Sequence, residues 1–99
     1  MSRMPDAGPK PEKYTACFAV HAPADPSVMP RVLDVFTRRG VIPSAWYSAL
    51  CGLDKQELQI DVQVADLRPE VAQRLAQCLR QLVCVSCVLT SEKRYALSA

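Results

Sequence analysis

The sequence contains little of what catalysis or charge-driven binding would require. It has one histidine, and 12 basic side chains nearly balance 10 acidic ones, which leaves a net charge of +2. So small a charge excludes electrostatic attraction as the main force for binding nucleic acid or a membrane surface. No apolar run approaches the ~20 residues of a membrane-spanning helix, and the first residues lack the apolar segment of a secretory signal. These absences predict a cytoplasmic protein outside the membrane.

The length predicts one small domain with loose ends. Residues 1–13 hold three of the eight prolines and almost no apolar side chains, which predicts a disordered N-terminal tail. We expect a single folded domain over residues 14–91 and a polar C-terminal tail over residues 92–99. The hydrophobic content is 49%, and a chain of this size hides only about two thirds of its extended surface. So much apolar surface on so short a chain suggests that a partner covers part of it.

The five cysteines favour reduced thiols over a disulfide framework. Their number is odd, and they fall within predicted strands and helices rather than at loop spacings. Cys84 and Cys87 form the one pattern with a metal or redox alternative. They fall in a predicted strand, where positions three apart point to opposite faces, and no second pair completes a zinc site. The zinc content of the purified protein would decide between the two interpretations.

Four stretches have the residue pattern of β-strands. Residues 14–21 (YTACFAVH) and 57–65 (ELQIDVQVA) alternate most regularly, which predicts two strands with one buried face each. Residues 41–50 predict another strand, with Pro43 near its start, and residues 83–90 predict the last.

Two stretches repeat apolar residues at helical spacing. The first follows Ser27, a candidate N-cap that places Pro30 at the third helical position, and it ends at Gly40. The second follows Asp66, interpreted as a cap with Pro69 three residues later. The positions at helical spacing are Val28, Val32, Val35, Phe36 and Arg39 in the first helix, and Val71, Leu75, Cys78, Leu79 and Leu82 in the second.

The order β-α-β-β-α-β predicts an α+β, ferredoxin-like sandwich. In this βαββαβ fold a four-stranded antiparallel sheet carries two helices on one face. Right-handed crossovers place the first and third strands in the middle of the sheet, in agreement with their regular alternation.

No catalytic constellation and no metal ligand set emerges, and no cofactor is expected. His21 lies where the first predicted strand ends, which favours a solvated imidazole, and no serine stands in a nucleophile context. The scattered aspartates form no paired carboxylate site. RNA-binding domains of this topology stack bases on aromatics of the central strands, and the third strand has none. We therefore expect neither an enzyme nor a nucleic-acid-binding protein.

The sheet face away from the helices is predicted to be small and semi-polar rather than charged. Cys17 and Ala19 lie on it with Thr15, Gln59 and Gln63, and such a face favours pairing with a second copy. Adjacent residues in a strand point to opposite faces, so one member of the Trp46–Tyr47 pair is expected in the core and the other at an interface. The predicted interface residues are Cys17, Ala19, Trp46 and Tyr47.

About three quarters of the chain resembles an ACT domain. The resemblance rests on the first strand, residues 24–29 (ADPSVM), residues 31–36 (RVLDVF) and residues 38–40 (RRG). Residues 79–85 (LRQLVCV) are similar to the LxKLxDV sequence that closes the small subunit of acetolactate synthase. Among these subunits the chain looks most like the short type, which has a single ACT domain and little after it.

The resemblance implies an effector site where the first loop meets the first helix, usually across a dimer interface. The implied effector-binding residues are Ala24, Asp25, Ser27, Val28 and Met29. Family members carry Asn or Asp where Ala24 stands and glycine where Ser27 stands. Alanine cannot hydrogen-bond an amino acid, and the serine Cβ hinders approach to the backbone N–H groups at a helix N-terminus.

Two functions follow from the resemblance. The first is a non-catalytic regulatory or accessory subunit that forms a homodimer and docks on the large, thiamine-diphosphate-dependent subunit of acetolactate synthase, in branched-chain amino-acid biosynthesis. The second is a stand-alone sensor whose loop binds an amino acid or another small carboxylate as its effector.

Overall fold

The computed structural model describes residues 13–95, and these residues form one four-stranded sheet with two helices. The strands are β1 (Lys13–Pro23), β2 (Ala45–Cys51), β3 (Glu57–Ala65) and β4 (Cys87–Tyr95), and the helices are α1 (Val28–Arg38) and α2 (Pro69–Arg80). A short 3-10 turn, Leu53–Lys55, joins β2 to β3. Of the predicted tails over residues 1–13 and 92–99, residues 1–12 and 96–99 lie outside the described residues, whereas residue 13 begins β1 and residues 92–95 end β4.

The sheet has the order β2-β3-β1-β4, and every neighbouring pair is antiparallel. The predicted ferredoxin-like topology, with the first and third strands in the middle, is therefore confirmed. Neither helix within residues 13–95 has the length and the apolar sequence that crossing a bilayer would require.

The core lies between the helices and one face of the sheet. In β3 the buried side chains alternate with half-buried ones, and each pairs across with a core position of β1, as Val62 does with Phe18. Phe18 packs edge-on against Phe36 of α1, with ring centroids 5.5 Å apart. The buried side chains are Ala16, Phe18, Val20, Ala22, Val28, Val32, Phe36, Leu58, Ile60, Val62, Val64, Leu75, Ala76, Leu79 and Val88. The alternation read from the sequence thus identified the core face of both central strands.

The predicted start of the second strand at residue 41 is wrong by four residues. Gly40 has a φ of +67°, and the N–H of Val41 bonds back to the carbonyl oxygen of Phe36 at 3.0 Å. This closing turn of α1 holds the chain away from the sheet. The N–H of Ser44 is the first to reach β3, where it donates to Gln63 O at 2.7 Å.

The interpretation of Asp66 as the cap of the second helix is also wrong. Asp66 has a φ of +59°, and its N–H donates to Tyr14 O at 2.7 Å, so it still continues the pairing of β3 with β1. Arg68 is the N-cap, with the extended ψ of 146° that a following proline favours. Pro69 occupies the first helical position, where its missing N–H removes no intrahelical bond.

The last strand begins four residues later and ends five residues later than the sequence predicted. After α2, turns at Leu82 to Val85 carry the chain back to the sheet, and the N–H of Ser86 donates to His21 O at 2.8 Å. Cys84 therefore lies in a turn, and Cys87 is the first residue of β4. β1 is also longer than predicted, so His21 lies inside this strand, half-buried, rather than at its end.

Candidate functional site

The candidate effector site lies where β1 ends and α1 begins. A cavity of about 410 Å³ opens there between the β1–α1 loop, β2 and the 3-10 turn. From the predicted effector set, Ala24, Asp25 and Met29 line this cavity. Ser27 is exposed and does not line it, and Val28 is buried in the core at 1% exposure. The structure thus brings together three of the five sequence-predicted residues.

Ser27 is the N-cap residue of α1, as predicted, but its side chain does not cap the helix. Its hydroxyl donates to the Asp25 carboxylate at 2.8 Å, and its backbone N–H donates to the same oxygen at 2.9 Å. The Asp25 carbonyl oxygen accepts from the Val28 N–H at 3.0 Å. Asp25, not Ser27, is therefore the residue that organises the start of the helix.

Asp25 holds a negative charge at the mouth of the cavity. The hydrogen bonds from the backbone and then the hydroxyl of Ser27 lower the pKa of the Asp25 carboxyl, and the nearby Arg31 guanidinium lowers it further. The carboxyl is thus ionised at neutral pH. An ionised carboxylate beside the first turn of α1 already occupies the position that a ligand's anionic group would take at a bare helix N-terminus.

Sequence reasoning missed the opposite wall of the cavity. Residues 48–50 of β2, Leu58 of β3 and Lys55 of the 3-10 turn complete the lining. Lys55 reaches this position because the turn reverses the chain tightly, with positive φ values at Gly52, Asp54 and Lys55. The CGLDK sequence indicated a turn, but only the β2–β3 pairing shows that this turn faces the loop before α1.

The arrangement can hold a small zwitterion. A carboxylate on one wall and an ammonium on another match the two charged groups of an amino acid, with its ammonium toward Asp25 and its carboxylate toward Lys55. Met29, Leu50 and Leu58 add apolar surface for a side chain. A volume of about 410 Å³ falls within the range of about 300–1,000 Å³ for small-molecule sites.

A second candidate surface is the face of the sheet opposite the helices, which we call the open sheet face. Its three central rows cross all four strands in register. These rows are Ala45–Gln63–Cys17–Ser91, Tyr47–Asp61–Ala19–Leu89 and Ala49–Gln59–His21–Cys87. Asp61 is the one carboxylate among these twelve residues, and the Gln59 side-chain amide donates to both of its oxygens at 3.3 Å. The residues predicted for this face, among them Cys17, Ala19, Gln59 and Gln63, do share it, and its central rows carry little charge.

Trp46 and Tyr47 point to opposite faces, as predicted. Trp46 pairs with Val62 and packs against the core, whereas Tyr47 stands on the open sheet face with 63% of its surface exposed. Leu89, which sequence reasoning missed because the last strand was misplaced, stands in the same row with 60% exposure. Ala19 stands between these two side chains in the row, and because its own side chain is small, the surface has a shallow concavity there.

The two cysteines of the CxxC pattern occupy different environments. Cys84 lies in the turn after α2 and packs partly against the core, while Cys87 is exposed on the open sheet face beside His21. The prediction that both lie in a strand is wrong, because the strand starts only at Cys87. None of the five cysteines forms a disulfide. Within residues 13–95 no three His, Cys, Asp or Glu side chains come together as a metal site.

The chain matches a known family over most of its length. The family model described as an ACT-like domain matches residues 10–96. No curated protein matches the chain.

Several solved structures share the fold at low sequence identity. The ACT domain of the GTP pyrophosphokinase from Chlorobium tepidum superposes with a TM-score of 0.66 at 9% identity, over 80% of this chain and 99% of that one. The C-terminal domain of MgtC from Mycobacterium tuberculosis gives 0.61 at 12% identity, over 89% of this chain and 94% of that one.

The regulatory subunit of aspartate kinase from Thermus flavus gives a TM-score of 0.60 at 14% identity. The match covers 81% of this chain and 52% of that subunit, so this chain spans about half of its length. At these identities the likeness is one of fold.

Proposed function

The chain belongs to the ACT-like domain family, and from this premise we propose that it is a non-catalytic regulatory or accessory subunit, cytoplasmic, that acts on an enzyme as a homodimer. One protein that shares its fold is described as the regulatory subunit of aspartate kinase, which supports regulation of another protein's active site as the role.

The open sheet face is the observation that carries this proposal. A solvated sheet face would be expected to carry several lysines and glutamates across its centre. The three central rows contain one carboxylate and two large exposed side chains, Tyr47 and Leu89, and the charged residues Glu57 and Lys93 stand only in the outer rows. The edge strand β2 supports it as well, because Ala45–Cys51 contains neither a charged residue nor a proline to prevent pairing with another strand. Light scattering after size exclusion should give twice the chain mass of 10.9 kDa.

The large, thiamine-diphosphate-dependent subunit of acetolactate synthase is the partner that we propose. Support comes from residues 79–85, which are similar to the end of that enzyme's small subunits and form the last turn of α2 and the turn after it. The test is to mix the purified protein with acetolactate synthase from the same cell and to measure co-purification and acetolactate formation. An accessory role predicts a rise in activity at saturating amounts of this protein. Failure to co-purify, with activity unchanged, would remove this partner.

A sensor of amino acids is a second candidate function, and the cavity between Asp25 and Lys55 favours it. The loop has Ser27 where family members have glycine, but Ser27 does not line the cavity. In this candidate function the charges of Asp25 and Lys55 bind the amino acid, in place of the backbone N–H groups at the start of α1 that the family resemblance implied.

A thermal-shift screen over the amino acids tests the sensor. A ligand present at a hundred times its dissociation constant should add about 2.7 kcal/mol to the free energy of unfolding. Lys55→Met keeps a long unbranched side chain but removes its charge, and it should abolish the shift. Lys93→Met on the open sheet face is the matched control and should leave the shift unchanged. Equal stabilisation by an amine without a carboxylate would contradict the role of Lys55. If no amino acid shifts the melting temperature, the sensor is contradicted and the accessory subunit stays as the proposed function.

A further inference from the structure

The small net charge of the chain conceals a separation of charge between the two layers of the fold. The two helices with the cap residues Arg39 and Arg68 carry six arginines, two carboxylates and no lysine, a surplus of four positive charges. The whole chain has a net charge of +2, so the remainder carries a surplus of two negative charges. The outer surface of the helical layer is therefore cationic, and all of its cations are guanidinium groups.

Part of this charge borders a trough between α1 and α2. The trough has a volume of about 1010 Å³, and its lining residues extend over positions 31–39 of one helix and its cap and over positions 71–82 of the other helix and the turn after it. This extent along the helices suits an elongated segment better than a small molecule. Its apolar lining comes from Val35, Val71 and Leu82. Its charged lining comes from Arg31, Asp34, Arg38 and Arg39.

Two of the arginines are held in place by contacts within the domain. Arg38 donates through Nε to the Asp34 carboxylate, at 2.6 Å along the same helix. Arg39 reaches across to α2, where its Nη2 donates to Cys78 Sγ at 3.4 Å. A guanidinium has five N–H groups in a planar fork, so each of these contacts leaves donors that suit a carboxylate.

We propose that the trough binds an acidic amphipathic helix of a partner protein. Apolar residues on one side of that helix would rest on Val35, Val71 and Leu82, and its flanking carboxylates would pair with Arg31 and Arg39. The charge favours an acidic partner over a neutral or basic one.

A protein fits the trough better than a nucleic acid does. None of the described residues that line it is aromatic, so no side chain can stack on a base, and Asp34 would repel a phosphate backbone. The apolar strip between the arginines matches aliphatic side chains and has no counterpart in a phosphate backbone.

This binding surface is independent of the proposed dimer. The helices cover one face of the sheet, and the open sheet face lies on the other, so both surfaces can be occupied together. Loss of one interaction would leave the other measurable, and the two proposals can fail separately.

Fluorescence anisotropy with the full-length protein tests the proposal. The probe is a labelled amphipathic peptide of about four helical turns, with leucine on one face and glutamate on the other. We expect saturable binding that weakens as the salt concentration rises. The double variant Arg31→Glu/Arg39→Glu should weaken binding at least about tenfold, or about 1.4 kcal/mol. Arg31→Gln/Arg39→Gln gives a milder version, in case a glutamate near the end of α1 disturbs the helix.

The matched controls separate the trough from the overall charge of the protein. Ser91→Glu/Lys93→Glu makes the net charge more negative by three on the open sheet face, across the sheet from the trough, and should change the affinity by only about twofold because salt screens distant charges. A peptide with glutamine in place of glutamate should bind at least about tenfold more weakly. Equal binding of the two peptides, equal effects of the two double variants, or no binding at all would overturn the proposal. Tighter binding of single-stranded DNA through the same arginines would overturn it in favour of a nucleic-acid surface.

Discussion

Replacing Phe18 with alanine should lower the free energy of unfolding by about 3–5 kcal/mol, because it empties the centre of the core. Phe18 is 1% exposed and packs edge-on against Phe36, which is completely buried, at 5.5 Å between ring centroids. The cavity left in β1 would lie between the sheet and α1, where the helix cannot move closer without breaking its other contacts. A domain of this size has about 5–15 kcal/mol of stability in total, so the variant would lose a large share of it.

Urea denaturation at one fixed protein concentration measures this effect, since dimerisation makes the apparent stability depend on concentration. Phe18→Leu keeps most of the volume and should cost less than about 1.5 kcal/mol. Val83→Ala alters a side chain that is 99% exposed and should change stability by no more than about 0.5 kcal/mol. A midpoint for Phe18→Ala equal to that of Val83→Ala would show that the ring does not lie in the core.

The sheet could be predicted from the sequence because its signal is local. In β3 each apolar residue lies two positions from the next, and that period alone identifies Leu58, Ile60, Val62 and Val64 as the buried face. The helices repeat buried residues at helical spacing, as Val28, Val32 and Phe36 do in α1. The order of these elements then leaves few topologies, and the ferredoxin-like arrangement is one of them.

Element boundaries could not be predicted, because they depend on contacts between residues far apart in the chain. Val41 and Val83 have strand-forming side chains, yet turns that follow the helices keep both of them out of the sheet. Aspartate is a common capping residue, but the Asp66 N–H donates to Tyr14 O in β1, and α2 begins only at Pro69. Local propensity is thus outweighed by the turns that follow α1 and α2 at Val41 and Val83, and by a hydrogen bond to β1 at Asp66.

The candidate effector site was only half predictable for the same reason. The resemblance pointed to the loop before α1, and Ala24, Asp25 and Met29 do line the cavity. Lys55, which supplies the opposite charge, stands 30 positions from Asp25 in the sequence. It reaches the cavity only because β2 and β3 pair and the turn between them has left-handed residues.

Replacing Tyr47 with glutamate should weaken the proposed homodimer at least about thirtyfold, since a tyrosine at the centre of an interface contributes about 2 kcal/mol or more. Tyr47 has the largest exposed side chain in the three central rows of the open sheet face, and it also belongs to the edge strand β2. The substitution therefore places a charge in the contact whether two sheets meet face to face or edge to edge. Because the side chain is already 63% exposed, the monomer should fold normally, as circular dichroism would show.

Leu89→Glu distinguishes the two modes of pairing, because Leu89 stands on β4 at the opposite edge of the same row. A face-to-face dimer should be weakened by both variants, whereas an edge-to-edge dimer through β2 should be weakened by Tyr47→Glu alone. Val83→Glu is the matched control, since it places the same charge on a fully exposed apolar position outside the sheet and should leave the mass unchanged. Light scattering over a dilution series gives the dissociation constants. A wild-type monomer at micromolar concentration, or equal masses for all three variants, would contradict a dimer through the sheet.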